Sequence, residues 1–354
     1  MTPFSEHIVT WQRQHGRHAL PWQNTHDPYR IWLSEIMLQQ TQVATVIPYY
    51  ARFLESFPTV ADLARAPAEQ VMEHWAGLGY YTRARNLHAC AQQVLTNWGG
   101  RFPPTAKDIE TLPGIGRSTA AAIAAFAYGE RSPILDGNVK RVFARHFGIE
   151  GDPTKRAVEL RMWALAEQNL PAEGPQAVDE MRSYTQGLMD LGATLCTRGS
   201  PDCGVCPVRA SCFALREARQ HDLPTPKTRK AVPERQTDML VIDDGTSIFL
   251  QHRPSPGIWG GLWSLPEFSD SDPISACQSL GIVATEAHKL PQFSHTFTHF
   301  KLHIQPWHVR AGAIALQENG AVQKWLKTEE LEKAALPAPV KKLLVGLFQK
   351  GGLI

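Results

Sequence analysis

The sequence predicts a mainly α-helical protein with a small α+β domain on its C-terminal side. Over residues 28–220, apolar residues recur three and four positions apart, as in Trp32 and Ile36, which is the period of an amphipathic helix. A stretch rich in proline and mixed charge follows, and it predicts a linker over residues 222–236. Short alternating apolar runs then open residues 237–354 and predict strands.

The C-terminal segment supplies the evidence for strands. The runs DMLVI and SIFLQH are β-rich and are separated by Asp243, Asp244, Gly245 and Thr246, which is a hairpin signal. The run FKLHIQPWHV alternates again, and the chain from Thr328 onward returns to a helical pattern. Together these elements predict a small α+β domain.

At 354 residues the chain exceeds the usual size of one hydrophobic core, so we expect two or three domains. No apolar run approaches the roughly 18 residues that a membrane helix needs, so we expect no membrane association. The first residues carry Glu6, Gln12 and Gln14 where a secretion signal needs an apolar stretch, which predicts a cytoplasmic protein in a reducing compartment. The net charge of +2 does not by itself indicate nucleic acid, so any DNA contact must be local.

Four of the six cysteines form the pattern C-x6-C-x2-C-x5-C: Cys196, Cys203, Cys206 and Cys212. A reducing compartment disfavours disulfides, so the pattern predicts a metal site. Zinc modules usually pair two close knuckles, whereas only Cys203 and Cys206 are close here. Zinc remains an alternative, but the spacing favours one [4Fe-4S] cluster. Because the loop has little core of its own, we expect the cluster to fold it rather than to carry electrons.

A glycine-containing turn precedes an alanine-rich helix in the segment LPGIGRSTAAAIAAFA, residues 112–127. Gly114 and Gly116 would let the backbone approach a ligand closely, and the first amides of the following helix would suit a phosphate. An ordinary turn between two helices is the alternative.

Two carboxylates lie in unusual sequence contexts. Glu35 lies on an otherwise apolar helix face in YRIWLSEIMLQQT, where a buried carboxyl would keep its proton and could act as a general acid. In LDGNVKRVFAR, Asp136 or Asn138 can cap the helix that follows. The simpler alternatives are a solvent-facing glutamate and a purely structural cap.

The segments LSEIMLQQTQV, GLGYYTRARNL, LPGIGRSTAAAI and LDGNVKR, with the four-cysteine loop, together resemble the adenine DNA glycosylase (MutY) family of the helix-hairpin-helix glycosylase superfamily. The resemblance implies a two-lobed fold, with a six-helix lobe over about 28–135 and an iron-sulfur lobe built from 1–27 and 136–221, its cluster loop at 196–212. It also implies that double-stranded DNA lies across the cleft and that an adenine opposite 8-oxoguanine is flipped into a pocket. This substrate would place the protein at the nucleoid.

The resemblance also implies catalytic roles. Glu35 would protonate the adenine ring, Asp136 would stay ionised and stabilise the oxocarbenium-like sugar, and Asn138 would orient Asp136. This arrangement follows the logic of paired carboxylates at a glycosidic bond. Ser118 stands where the bifunctional endonuclease III-like relatives carry a catalytic lysine, so Schiff-base chemistry should be weak. Lys140 lies near enough for a trace of lyase activity.

Further residues match DNA-contacting positions of the family. Gln40 and Tyr80 would wedge into the base stack, and Gln186, a glutamate in some relatives, would contact the adenine. The full set of expected DNA-binding residues is Gln40, Thr41, Tyr80, Gly114, Gly116, Ser118 and Lys140.

Residues 237–354 resemble the MutT-like (Nudix-fold) domain of these glycosylases through GIWGGLWSLPEF. No REXXEE box follows Glu267, so nucleotide hydrolysis is not expected. The stretch FSHTFTHFKLH resembles the loop that reads 8-oxoguanine, which would make Phe293, Ser294 and His295 recognition residues. A packed aromatic strand edge is the alternative.

These expectations combine into a monofunctional base excision repair enzyme that removes adenine mispaired with 8-oxoguanine or guanine. We expect a monomer that replication or repair proteins could recruit. Two alternatives stay open: a bifunctional endonuclease III-like glycosylase and abasic-site lyase, and a non-catalytic DNA-binding protein that senses redox state through its cluster.

Overall fold

The structure is a computed structural model that describes residues 2–227, 232–254, 257–269, 272–312 and 322–349. The chain divides into two compact units. The first combines Met1–Arg65 with Asn86–Thr228, and the second combines Ala66–Arg85 with Arg229–Ile354. No helix among the described residues is long and apolar enough to cross a membrane.

The helices of the described chain are α1 Pro3–His15, α2 Pro28–Leu38, α3 Val43–Ser56, α4 Val60–Arg65, α5 Ala68–Trp75, α6 Thr82–Trp98, α7 Ala106–Ile109, α8 Arg117–Tyr128, α9 Gly137–Phe147, α10 Arg156–Gln168, α11 Ala177–Asp190, α12 Phe213–Arg216, α13 Pro273–Ser279 and α14 Ala338–Phe348. The strands are β1 Glu234–Asp243, β2 Ser247–His252, β3 Trp263–Ser264, β4 Glu267–Phe268, β5 Ala287–Lys289, β6 Phe293–Thr296, β7 Lys301–Arg310 and β8 Gln323–Lys327.

Local sequence signals set the ends of the helices that surround the later site. Helix α2 begins where Asp27 accepts a hydrogen bond from the Tyr29 amide at 2.9 Å and Pro28 occupies the first turn. Helix α8 ends at Gly129, whose left-handed φ of 71° suits a residue without a side chain. These signals determine where α2 begins and where α8 ends.

The core of the first unit lies between α1, α8, α9, α10 and α11, and it buries Ile8, Ala125, Phe143, Met162 and Leu188 almost completely. Small alanines on α8 let the neighbouring helices approach closely, and apolar burial of this kind contributes about 25 cal/mol per Å². The helices predicted from the apolar periodicity of this region are therefore confirmed, and their apolar residues form the faces that pack together.

The second unit is built on one sheet with strand order β3-β2-β1-β7-β5, and β4, β6 and β8 pair with β1, β7 and β2 respectively. Strands β1 and β7 run parallel, from the pair Glu234 and Lys301 to the pair Asp243 and Arg310. The other pairings are antiparallel, including the expected hairpin of β1 and β2. Strand β1 begins at Glu234, inside the stretch expected to be linker.

The segment Ala66–Arg85 packs with this sheet, although its sequence places it in the middle of the helical region. Glu69 on α5 accepts hydrogen bonds from Trp263 Nε1 at 2.6 Å and from Lys324 Nζ at 3.1 Å. The Arg85 guanidinium donates to the Gly260 carbonyl. Long-range polar contacts of this kind carry no local sequence signature.

Candidate active site

A cavity of about 1270 Å³ lies within the first unit. It is bounded by the ends of α1 and α2, the starts of α8 and α9, and α11. Of the residues expected at the site, the cavity is lined by Glu35, Gln40, Thr41, Ser118, Asp136, Asn138 and Gln186. The two carboxylates of the expected mechanism therefore share one space.

Glu35 reaches this cavity from α2, on which Trp32 and Met37 are completely buried. Burial of the carboxyl group raises its pKa, and the nearby negative charge of Asp136 raises it further, to about 8. A carboxyl group with this pKa holds its proton at neutral pH and can donate it.

Asp136 enters the cavity as the N-cap of α9, where it accepts a hydrogen bond from the Val139 amide at 2.8 Å. Burial raises its pKa, whereas the amides of the first turn and the charges of Arg141 and Lys140 oppose that rise. Within the part of the chain that the structure describes, only burial and Asp136 act on the pKa of Glu35, and both raise it. Of the two carboxyl groups, Asp136 is therefore the one that the surroundings favour as an anion.

Asn138 contacts Asp136 through its backbone rather than its side chain. Its amide is one of the groups that lower the Asp136 pKa, while its side-chain oxygen accepts a hydrogen bond from Arg141 Nη2 at 2.8 Å. Arg141 also donates to the carbonyl of Gly192 at 2.5 Å and to that of Cys196 at 2.7 Å. The Asn138 side chain thus connects to the cysteine loop through Arg141.

Ser118 supports the backbone just before Asp136. Its hydroxyl oxygen accepts a hydrogen bond from the Leu135 amide at 2.9 Å. The side chain of Lys140 forms an ion pair with Glu159 at 2.6 Å. The position of the catalytic lysine is thus occupied by Ser118. The amine of Lys140, which was expected to allow at most a trace of lyase activity, is bound by the Glu159 carboxylate.

The two residues expected to wedge into DNA share an unusual backbone conformation. Gln40 has a φ of 56° and Tyr80 a φ of 48°, values in the left-handed region that cost a residue with a side chain about 1 kcal/mol or more. Gln40 is exposed beside the first-unit cavity, and Tyr80 is exposed in the second unit. Strain of this kind is characteristic of functional positions.

The expected glycine turn lies between α7 and α8. Gly114 has a φ of 76°, and a Cβ atom there would lie 2.6 Å from the Cβ of Asn86, so only glycine fits. Gly116 caps α8 with an extended backbone and has open space around its Cα. The backbone amides of the first turn of α8 therefore lie next to open space at Gly116.

The four cysteines of the loop line one small cavity beside α9. Burial and the neighbouring thiols raise the pKa of Cys206 to about 11. Arg145 reaches Cys196 Sγ at 3.4 Å and the Thr197 carbonyl at 2.6 Å. Within the described residues no three acidic, histidine or cysteine side chains already form a coordination shell, yet the donor set and its shared cavity fit a thiolate-bound cluster.

The three residues expected to read 8-oxoguanine lie on a strand. Phe293, Ser294 and His295 belong to β6 and pair with β7. Alternation along the strand turns Ser294 away from the other two, and its hydroxyl lies 2.9 Å from His303 Nδ1. The stretch that resembles a loop, residues 293–303, is therefore a hairpin, because the pairing of β6 with β7 extends through Thr296 and a turn follows.

The turn of this hairpin comes four residues later. Phe297 donates its amide to the Phe300 carbonyl at 2.8 Å, and the two rings stack 4.6 Å apart. Thr298 and His299 are exposed at the tip. The sequence repeats an aromatic-hydroxyl-histidine triplet at 293–295 and 297–299, and the register with β7 decides which one forms the turn.

Comparisons with known proteins agree with both units. A family model of HhH-GPD superfamily base excision DNA repair proteins matches residues 33–168, and a NUDIX domain model matches residues 238–345. The adenine DNA glycosylase of Buchnera aphidicola subsp. Baizongia pistaciae is 34% identical over 343 residues, which cover 96% of this chain and 95% of that protein. The chain belongs to the adenine DNA glycosylase family.

The adenine DNA glycosylases that this chain resembles include a human protein. The human adenine DNA glycosylase is 32% identical over 414 aligned positions, covering 97% of this chain and 73% of that protein. Among solved structures, a thermostable thymine-DNA glycosylase is 30% identical with a TM-score of 0.54, covering 60% of this chain and 95% of the other. The predicted family and the helical-plus-Nudix fold class are confirmed.

Sequence reasoning missed Arg17, which lines the cavity of this family member, and its buried partner Asp190. Arg17 lies on the segment after α1, and Asp190 is the fully buried last residue of α11. They meet in an ion pair of 2.7 Å, and Asp190 also accepts a hydrogen bond from Gln186. A separation of 173 residues along the chain hides this pair from any local pattern.

Proposed function

We propose that this protein hydrolyses the N-glycosidic bond of adenine mispaired with 8-oxoguanine or guanine in double-stranded DNA. The observation that carries the proposal is the pair of carboxyl groups in one cavity, with Glu35 at a pKa of about 8 and Asp136 held by helix amides. Membership in the adenine DNA glycosylase family supports the choice of base.

In the proposed reaction Glu35 protonates a ring nitrogen of the adenine, so the electrons of the breaking bond leave with a neutral base. The Asp136 anion stabilises the positive charge that develops on the sugar. Water then adds to the sugar carbon and gives its proton to the Glu35 carboxylate, which restores the acid. The products are adenine and an abasic site.

The adenine must leave the duplex to reach this cavity. Flipping costs a few kcal/mol and is least costly for a mispaired base. Gln40 and Tyr80 are the residues we assign to the vacated stack, because both are exposed and held in strained conformations. The amides that begin α8 after Gly116 would bind a backbone phosphate.

Ser118 supports a monofunctional enzyme. A Schiff base requires an amine at the sugar carbon, and the Ser118 hydroxyl instead accepts the Leu135 amide. Lys140 is paired with Glu159, so its amine is available only when that ion pair opens. We therefore assign strand cleavage to no residue of the cavity.

The decisive assay uses a duplex with adenine opposite 8-oxoguanine. We expect the wild-type protein to give a strand break only after alkali, and Glu35→Gln to bind the duplex with base release reduced at least ~100-fold, since the acid is lost. A break without alkali would instead indicate a lyase. No break under either condition would indicate a protein that only binds DNA.

The pKa of Glu35 predicts a pH dependence for base release. Glu35 must be protonated to act as an acid, so the single-turnover rate should fall about tenfold per pH unit above its pKa of about 8. Asp136 must be ionised, so the rate should also fall at acid pH, below the raised pKa of that group. A rate that stays level from pH 8 to well above it would exclude Glu35 as the acid.

We propose that the hairpin of β6 and β7 reads the base opposite the adenine. Its tip offers an exposed hydroxyl on Thr298 between aromatic side chains, whereas the Ser294 hydroxyl is engaged by His303. A tip is the part of a hairpin that can enter a groove without unfolding its strands.

Two alanine variants separate the possible reading residues. We expect Thr298→Ala to reduce the preference for adenine opposite 8-oxoguanine over adenine opposite guanine, by about the fivefold to tenfold that one hydrogen bond contributes. Ser294→Ala is the matched control, and its preference should remain close to wild type. If Ser294→Ala lowers this preference and Thr298→Ala does not, the reading residue is Ser294 on the strand.

We propose that Cys196, Cys203, Cys206 and Cys212 hold one [4Fe-4S] cluster whose role is structural. The protein as isolated should contain iron and acid-labile sulfide in equal amounts, with no stoichiometric zinc. The double variant Cys203→Ser/Cys206→Ser should lose both and unfold at a lower temperature, because metal binding contributes folding energy to such loops. Cys277→Ala, in the second unit, should keep its iron; stoichiometric zinc in the wild type would refute the assignment.

A further inference from the structure

Within the described part of the second unit, two residues other than glycine have a left-handed backbone, and one side chain connects their segments. Tyr80, which we assigned to the vacated base stack, has a φ of 48°, and Trp259 has a φ of 56°. Arg85, on the helix that follows Tyr80, donates a hydrogen bond to the carbonyl of Gly260, the residue after Trp259. This bond joins two strained segments across 175 positions of sequence.

The sequence places Arg85 where a cation is unfavourable. Helix α6 begins at Thr82, so Arg83 and Arg85 lie beside the positive end of the helix dipole, and the first turn contains no acidic residue. Burial also lowers the pKa of the Arg85 guanidinium. Its acceptors are therefore important: the Gly260 carbonyl, and the Thr82 hydroxyl oxygen at 2.9 Å from Nη2.

At one end of this connection, Tyr80 is held by the start of α6. The Arg83 amide donates to the Tyr80 carbonyl at 2.8 Å. The Arg83 guanidinium donates to the carbonyls of Leu78 and Gly79 at 3.1 and 3.2 Å, and it lies 5.6 Å from the centre of the Tyr80 ring. A displacement of the first turn of α6 therefore moves Tyr80, whose surface is 50% exposed.

At the other end, the segment that contains Gly260 touches the hairpin of β6 and β7. The buried Trp259 ring lies 5.5 Å from the ring of Phe297, which precedes Thr298 at the hairpin tip. A Cβ atom at Gly260 would lie 2.9 Å from the Pro254 carbonyl oxygen, so this turn is tightly packed. A change at the tip can therefore reach the Gly260 carbonyl through Trp259.

We propose that Arg85 is a positioning residue that couples the reading of the opposite base at the hairpin tip to the insertion of Tyr80 into the base stack. When 8-oxoguanine holds the tip, Trp259 and the Gly260 carbonyl are fixed, and Arg85 fixes the first turn of α6 with them. When the opposite base is guanine, the tip is held less firmly and Tyr80 inserts less. The inference rests on the proposed function, because it connects two contacts assigned there.

The strained backbone supplies the two arrangements that such coupling requires. A residue with a side chain stays in the left-handed region only while its surroundings hold it there. Tyr80 and Trp259 can therefore each relax when their neighbours loosen. Because Arg85 bonds to the turn beside Trp259 and belongs to the helix that holds Tyr80, the relaxation of one segment favours that of the other.

Fluorescence tests the insertion of Tyr80 directly. Duplexes carry 2-aminopurine, whose emission depends on base stacking, next to 8-oxoguanine or guanine, and saturating protein with Glu35→Gln leaves the opposite adenine on its sugar. We expect the fluorescence change on binding to be at least about threefold larger with 8-oxoguanine. Adding Arg85→Met, which keeps the apolar stem but removes the donors, should make the two changes nearly equal. Adding Tyr80→Ala should abolish the difference, since the signal then lacks its source.

A double-mutant cycle tests the coupling in the active enzyme. The quantity is the preference in single-turnover base release for adenine opposite 8-oxoguanine over adenine opposite guanine. We expect Arg85→Met to lower this preference about threefold or more, and Thr298→Ala to lower it by less than about twofold further in that variant, because coupled residues are not additive. A merely structural role for Arg85 predicts equal losses on both duplexes and additive effects.

Matched variants control for the loss of an arginine. Arg131 Nε donates to the Pro171 carbonyl at 2.7 Å in the first unit, and Arg131→Met should keep both the fluorescence difference and the preference. If Arg85→Met does not fold, Trp259→Leu removes the ring contact with Phe297 and should reduce both quantities in the same way.

The outcomes are separable. A wild-type fluorescence difference in Arg85→Met or Trp259→Leu, a difference that survives Tyr80→Ala, or additive effects in the cycle overturns the positioning role. A wild-type protein that releases no adenine from either duplex overturns the proposed function instead.

Discussion

The hydrogen bond between the Asp136 carboxylate and the Val139 amide is the interaction on which the rest of the site depends. It starts α9, and it fixes the carboxylate at the edge of the cavity that Glu35 also lines. A cap contributes about 1 kcal/mol to stability, and its geometry also favours the anionic form of the carboxyl group. One carboxylate therefore serves both the fold and the proposed chemistry, and its position cannot drift without fraying the helix.

Glu35 shows the opposite balance between stability and function. Because its pKa is raised from 4.5 to about 8 in the folded protein, the unfolded chain releases this proton at lower pH. The folded state thus loses stability as the pH rises from about 4.5 to about 8, a cost on the order of a few kcal/mol when fully developed. A leucine in its place would avoid that cost but could not protonate a base. Stability lost at a functional site in this way is common in enzymes.

Sequence reasoning identified the local features of this protein better than its long-range contacts. The cap at Asp136, the cysteine spacing and the apolar face around Glu35 are each visible within fewer than twenty residues, although only the family resemblance joined them. The position of the hairpin turn at Thr298 is not visible in the sequence, because the triplets at 293–295 and 297–299 are similar and only the pairing with β7 distinguishes them. The packing of Glu69 against Trp263 and the pair of Arg17 with Asp190 depend on residues more than 170 positions apart. No periodicity or motif reports such contacts.

The end of α11 explains why the base pocket and the cysteine loop are built close together. After Asp190 the chain makes a π-helical turn over Leu191–Leu195 and then reaches Cys196, and such widened turns frequently occur at functional sites. Within this turn Gly192 touches α9, where a Cβ atom would lie 2.6 Å from the Cβ of Asn138. Only a residue without a side chain lets the two helices meet there, and the Gly192 carbonyl then accepts a hydrogen bond from Arg141. Gly192, which binds the arginine that holds Asn138, thus lies two residues beyond Asp190, whose carboxylate accepts a hydrogen bond from Gln186. A side chain at position 192 would therefore displace both walls of the cavity at once.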